Sequence, residues 1–384
     1  MENKLQQEID DMSKAIKTDN YPMSIGELAN LYLDGDLNIN PIYQRVFRWD
    51  INQQSALIES ILLSIPLPPI YVYQNDAGKW NLIDGQQRLS TILKFMGILK
   101  KNEEAEEDSE ESEIDLSKEE ALTKTKFLPS LEGKYWERED GRNSLTDAQR
   151  RYIKRSKILI IIIDKSSDEF AQYEMFQRLN TGGSHLSPQE IRNCILVMRD
   201  EKIYKVMKEL SRYDNFVKAL PISEKDEEEQ GYMELVVKYF VLRFSKMDVG
   251  DSENYNNFLT DEIINIVKSG TVNYDEEKIR FKKVFDLISN EMDENAFKKY
   301  DLQKKRNVGP VLVGTYEAIV PGLADNIEYY ESNSGKLKEK IISMFSEQEY
   351  QNAVKRGVRP VSRMKRLVAF GKEAFSSESQ NTNN

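Results

Sequence analysis

Leu82-Ile83-Asp84-Gly85-Gln86-Gln87-Arg88 is the stretch on which the reading of this chain turns. Residues 80–83 read as a strand, and Gly85 is able to take a positive φ. Leu89, Ile92, Leu93, Met96 and Leu99 then recur at helical spacing. An extended segment therefore tips at once into a helix, and the amides of Gln86, Gln87 and Arg88 have no partner within that helix. Such a terminus attracts anions. Arg88 stands in the first turn, where the helix dipole disfavours a cation by ~0.3–1 kcal/mol. A phosphate shared by its guanidinium and the amides would explain the placement. Asp84 suits a divalent cation bridging phosphates, because hard cations prefer carboxylate oxygen. The same residues also fit a structural role, with Asp84 as an N-cap worth ~1 kcal/mol and Arg88 paired to a nearby carboxylate.

Working outward, Pro66, Pro68 and Pro69 feed an extended run over residues 70–73, and Asn75, Asp76 and Gly78 supply a turn, so residues 70–83 predict a hairpin. Further upstream, Ser24-Ile25-Gly26-Glu27 starts a short helix closed by Gly35 and Asp36, and Asp50-Ile51-Asn52-Gln53 starts another. Downstream, residues 103–120 hold eleven acids and one lysine, so residues 101–126 predict a mobile acidic insertion. A basic helix follows from Thr146, and residues 158–163 form an aliphatic run suited to a strand buried on both faces. Residues 168–179 predict an amphipathic helix stopped by Asn180-Thr181-Gly182-Gly183. Ser187-Pro188-Gln189-Glu190 caps the next one, and the pattern is then almost wholly helical to Lys372. The expected fold class is α+β: an extension over residues 1–20, an α/β domain over 21–185, a helical domain over 186–375 and a frayed tail over 376–384.

Composition limits the chemistry. The 384 residues suffice for two or three packing units, and 39% hydrophobic with 31% charged residues suits neither a disordered nor a membrane chain. The longest charge-free apolar stretch, residues 60–73, carries three prolines, and residues 1–14 hold no apolar signal core, so a cytoplasmic address without a membrane partner is expected. Cys194 and His185 are single occurrences, which excludes an internal disulfide and leaves any histidine-dependent nuclease, protease or hydrolase resting on His185 alone. His185 reads better as a polar loop residue. The net charge is −11, yet the 366 residues outside the acidic run sum to −1. Residues 142–157 carry six Lys or Arg against Asp147, and residues 351–372 carry seven and no acid. Basic faces therefore remain open to nucleic acid.

Two more clusters stand out. Residues 40–49 pack Arg45 and Arg48 among Tyr43, Phe47 and Trp49, either a loop that stacks a base and clamps phosphate or a set of core aromatics under snorkelling arginines. Residues 176–193 bring together Arg178, Asn180, Thr181, Gly182, Glu190, Arg192 and Asn193, in which Gly182 and Ser187 also serve as ordinary helix caps.

In order and spacing, Tyr43-Gln44-Arg45 with Trp49, residues 83–89, and residues 178–182 with Glu190, Arg192 and Asn193 resemble the N-terminal domain of GmrSD-type modification-dependent restriction enzymes and their SspE-like relatives, over roughly residues 20–200. The core of that domain is similar to the ParB/sulfiredoxin fold, whose equivalent turn binds nucleotide phosphates. The resemblance implies magnesium-dependent (Mg2+) nucleoside triphosphate binding and hydrolysis, with Asp84 and Arg88 catalytic and Asp84 on the metal. Tyr43, Gln44, Arg45, Gly85, Gln86, Gln87, Arg178, Asn180, Thr181 and Gly182 would surround the nucleotide. DNA, modified DNA included, is the implied partner. Family members often carry an HNH nuclease, which needs a metal-activating histidine, and none exists beyond His185. The chain is therefore expected to sense and handle nucleotide while a separate nuclease subunit cleaves, with homo-oligomerisation left open. Two rivals stand beside this reading: a non-enzymatic DNA-binding module using residues 142–157 and 351–372, and a DNA nuclease built on Asp84.

Overall fold

The computed structural model describes residues 4–15, 18–39, 49–75, 77–100, 120–163, 187–333 and 335–377. They fall into two compact units, Met1–His185 and Leu186–Asn384. In the first, α1 (Lys4–Ala15), β1 (Thr18–Ser24), α2 (Ile25–Leu33), β2 (Leu37–Asn38), α3 (Ile51–Leu62), β3 (Ile70–Gln74), β4 (Trp80–Asp84), α4 (Gln86–Phe95), α5 (Asp147–Arg155) and β5 (Lys157–Ile163) follow in chain order.

The expected hairpin forms: β3 and β4 pair antiparallel at the centre of a sheet ordered β1-β5-β3-β4-β2. β1 is antiparallel to β5, whereas β5 is parallel to β3 and β2 to β4. Helix starts follow their side-chain caps. Asp50 accepts the amides of Asn52 and Gln53 at 2.7 and 2.9 Å while the Gln53 side chain accepts the Asp50 amide at 3.1 Å. Thr146 with Gln149 and Ser187 with Glu190 repeat that reciprocal box. Ile58, Ile70, Val72, Leu82, Leu93 and Ile160, all buried, belong to one core cluster between sheet and helices.

Several expectations change. Residues 18–20 belong to edge strand β1, not to an extension: Thr18 pairs with Ile163, and Pro22 is tolerated because an edge strand has one unpaired side. β5 is not buried on both faces, since Leu159 is exposed while Ile158 and Ile160 are buried. Of the expected acidic insertion, residues 101–119 lie outside the described residues, and residues 122–128 make contacts with the fold. Leu122 is buried and exchanges backbone hydrogen bonds with Lys134 and Gly133 at 2.9 and 2.8 Å, and Glu59 accepts the amides of Phe127 and Leu128. The helix and turn expected over residues 168–183 lie outside the described residues.

The second unit is largely helical, as expected. Its longer helices include α6 (Pro188–Arg199), α7 (Gly231–Phe244), α8 (Tyr255–Ser269), α9 (Tyr274–Met292), α10 (Val313–Asp325) and α11 (Pro360–Ala374). It is not all-helical, because β6 (Lys298–Asp301) and β7 (Arg306–Val311) form an antiparallel ribbon. Phe216, Phe281 and Phe285 are fully buried, with ring centroids 4.6–5.1 Å apart. Helices α10 and α11 meet backbone to backbone: a Cβ on Gly371 would lie 1.9 Å from the Ala318 carbonyl oxygen. Among the described residues, no helix is long and apolar enough to cross a membrane.

Candidate functional site

The turn joining β4 to α4 is built by a bulge and a glycine. From Gln74↔Trp80 to Val72↔Leu82 the hairpin register is regular. A bulge between Tyr71 and Val72 then sets Tyr71 opposite Asp84. Gly85 takes φ 107°, and a Cβ there would sit 2.9 Å from Ile70 Cγ1, so both backbone and space demand glycine. Gly85 is itself the N-cap and Asp84 is the last residue of β4, which corrects the N-cap role considered for Asp84. The start of α4 thus has no side-chain cap and no acid in its first turn.

The two glutamines serve the scaffold. Gln86 is buried. Gln87 Oε1 accepts the Trp49 amide at 3.1 Å, while Gln54 Nε2 donates to the Trp49 carbonyl at 2.8 Å. The backbone that directly follows residues 40–48 is thereby fixed to the first turn of α4. Tyr43, Gln44, Arg45, Arg178, Asn180, Thr181 and Gly182 lie outside the described residues.

Arg88 is not balanced by an anion alone, as its place in the first turn suggested. Its Nη2 donates to Asp84 Oδ2 at 2.8 Å, and its Nη1 donates to the Pro69 carbonyl at 3.0 Å and also to that of Pro68. The carboxylate pair considered from sequence forms. The Arg88 side chain is 13% exposed and that of Asp84 33%. Burial lowers the Arg88 pKa, and Asp84 and Tyr71 oppose that shift; a guanidinium remains charged regardless. Burial raises the Tyr71 hydroxyl pKa, Asp84 adds to it and Arg88 opposes it, so Tyr71 keeps its proton beside the pair.

Sequence reading missed Tyr71 and the two proline carbonyls. Counting inward from the turn at residues 75–79 finds Tyr71 to within one position, and the bulge supplies the rest. Glu190, Arg192 and Asn193 lie in α6, buried in the helical unit. Glu190 Oε2 accepts the Ser187 amide at 2.6 Å, Arg192 Nε donates to Thr260 at 3.2 Å, and Asn193 Oδ1 accepts from Gln189 at 2.7 Å.

A helix start with glycine at its N-cap and an arginine in its first turn fits a phosphate group. Magnesium fits less completely. Among the described residues no group of three or more His, Cys, Asp or Glu is placed to hold a metal ion, so Asp84 would need phosphate and water oxygens to complete the shell, as Mg2+ commonly does.

Residues 25–197 match the family model of the GmrSD restriction endonuclease, N-terminal domain. No curated protein matches the chain. The matched span runs from the first residue of α2 into α6 and contains the Asp84–Arg88 turn. Over residues 25–197, a little under half of the chain, the sequence is thus similar to the N-terminal domain of the GmrSD restriction endonuclease.

Proposed function

We propose that the chain is the nucleotide-dependent sensor of a modification-dependent restriction system. In this reading it binds and hydrolyses a nucleoside triphosphate at the Asp84–Arg88 turn and leaves DNA cleavage to a separate nuclease subunit. The observation that carries the proposal is the start of α4, where a glycine N-cap without side-chain capping precedes a first turn that holds Arg88 and no acid. Asp84 and Arg88 hold each other in a neutral resting pair. Asp84 is a third exposed, so water can compensate its carboxylate when the pair separates, and Arg88 regains a charge-assisted bond when it turns to a phosphate oxygen. The exchange leaves the Asp84 carboxylate for magnesium. When bound, magnesium offsets charge on the phosphates.

Tyr71, protonated at neutral pH, serves as a hydrogen-bond donor and not as the base. By the family resemblance, Tyr43, Gln44 and Arg45 with Arg178, Asn180, Thr181 and Gly182 take the rest of the nucleotide, and Gln87 anchors Trp49 at the end of the first of these segments. A single histidine in the sequence supports assigning cleavage elsewhere.

Phosphate release from each of the four nucleoside triphosphates, measured with the full chain and magnesium, tests the proposal. At least one should be hydrolysed, and Arg88→Ala should abolish it; inertness toward all four, with and without DNA, rejects hydrolysis. Plasmid nicking by the chain alone, lost in Asp84→Asn, would favour a nuclease instead.

A further inference from the structure

We propose that the cleft between the end of α3 and helix α5 grips the sugar-phosphate backbone of duplex DNA. The cleft measures about 520 Å³. Ile25, Ile61 and Ile158, all buried, contribute apolar lining, and Arg151, Arg155 and Lys157, all exposed, contribute the charge. Among the described residues no aspartate or glutamate lines it. This is a local reversal of sign in a chain with 65 acids against 54 Lys and Arg.

Helix α5 sorts its cations by face. Arg150 is engaged internally, with Glu137 at 3.1 Å, with Asp147, and with the Leu145 carbonyl at 2.9 Å. Lys154 lies over the Trp136 ring, 5.8 Å from its centroid. Ala148, Arg151, Tyr152 and Arg155, at helical spacing, all line the cleft. Arg151 reaches Asp147 only at 3.9 Å, with both side chains more than half exposed. Among the described residues Arg155 and Lys157 have no carboxylate partner. Ser64 and Ser156 line the cleft as well, and the Ser64 hydroxyl is hydrogen-bonded to that of Tyr152.

A second cleft of this unit, about 510 Å³, is the contrast: Glu120, Glu137 and Glu139 stand among its lining with Lys94 and Arg138. Of these two clefts, the charged residues that line the α5 cleft are all basic among the described residues. Arginines a helical turn apart, with hydroxyl groups between them, match phosphate contacts that position a duplex without reading its sequence. The choice of DNA rests on the proposed restriction-system role and not on nucleotide hydrolysis. One wall of the cleft, Ser64 to Leu67, continues into Pro68 and Pro69, whose carbonyls Arg88 holds.

The test is fluorescence anisotropy of a labelled random-sequence duplex with the full chain, without nucleotide, between about 50 and 200 mM salt. Replacing Arg151, Arg155 and Lys157 together by alanine should reduce the slope of log affinity on log salt by about 2.7, at ~0.9 per phosphate contact, and weaken binding at the lower salt at least tenfold. Arg155→Glu alone should weaken it more than Arg155→Ala. The control triple Lys355→Ala, Arg356→Ala and Arg359→Ala removes equal charge from exposed positions of the helical unit and should leave the slope near wild type. Thermal melting at the wild-type temperature establishes that each variant is folded. A wild-type slope in the α5 triple, equal losses in both triples, or displacement of the duplex by lower concentrations of single-stranded RNA overturns the proposal. The duplex titration contains no nucleotide, so failure of hydrolysis and failure of the cleft are read separately.

Discussion

Arg88 in the first unit and Arg363 in the helical unit each meet a single carboxylate, on different terms. Arg363 grips Glu317 with two nitrogens, Nε to Oε2 and Nη2 to Oε1, both at 2.9 Å, and Glu317 is fully buried. Arg88 gives Asp84 one nitrogen, Asp84 is a third exposed, and the other nitrogen goes to main-chain carbonyls. The two guanidinium pKa values move in opposite directions. Arg363 is raised, first by its hydrogen bond to Glu317, and Arg88 is lowered, first by burial. Remove Arg363 and a buried carboxylate loses a bidentate partner, with the charge of Lys238 left to offset it; remove Arg88 and water reaches Asp84. The same pair of residue types thus makes a fixed strut in one unit and an exchangeable contact in the other.

The comparison breaks most easily at its fixed end. Arg363→Ala should destabilise the helical unit by about 3–5 kcal/mol in urea denaturation, because it takes the bidentate partner from buried Glu317. Arg88→Ala should stay within about 1 kcal/mol of wild type. Equal losses would erase the distinction. Next, Gly85→Ala forces a side chain into a left-handed backbone against Ile70 and should cost about 1–3 kcal/mol, read as a lower melting temperature.

A smaller effect is expected at Glu59, whose carboxyl is held below the usual carboxylate range by hydrogen bonding from Thr125 and from the Phe127 and Leu128 amides. A depressed folded pKa stabilises the protein above the unfolded value, about 4.3, and that contribution is lost as pH falls through the depressed value. Glu59→Gln should therefore cost about 1 kcal/mol at neutral pH and flatten the loss of stability in acid, measured by denaturation across pH. Smallest of all on stability, Asp84→Asn should change the unfolding free energy by less than about 1 kcal/mol while hydrolysis is lost.

What could be read in advance was local. The hairpin, the glycine turn and the caps at Asp50, Thr146 and Ser187 follow from neighbouring residues, and each formed. Strand β1 was not legible, because Thr18 to Pro22 is exposed throughout and its pairing is supplied by β5, some 140 residues later in the chain. The ribbon of β6 and β7 is likewise mostly polar or exposed. The Asp84–Arg88 pair spans four residues and was visible as an option, but Pro68 and Pro69 add acceptors that only the folded hairpin brings near. Glu317 and Arg363 are 46 positions apart, so nothing local marks either as a buried ion.

The central claim is that the Asp84–Arg88 pair opens to accept a triphosphate. Equilibrium binding of a non-hydrolysable nucleoside triphosphate with magnesium, compared between the wild-type chain and Arg88→Ala, measures this directly. The account predicts saturable binding by the wild type and at least tenfold weaker binding by the variant. Equal affinity in both, or no binding to the wild type by an analogue of any of the four nucleotides, would contradict it.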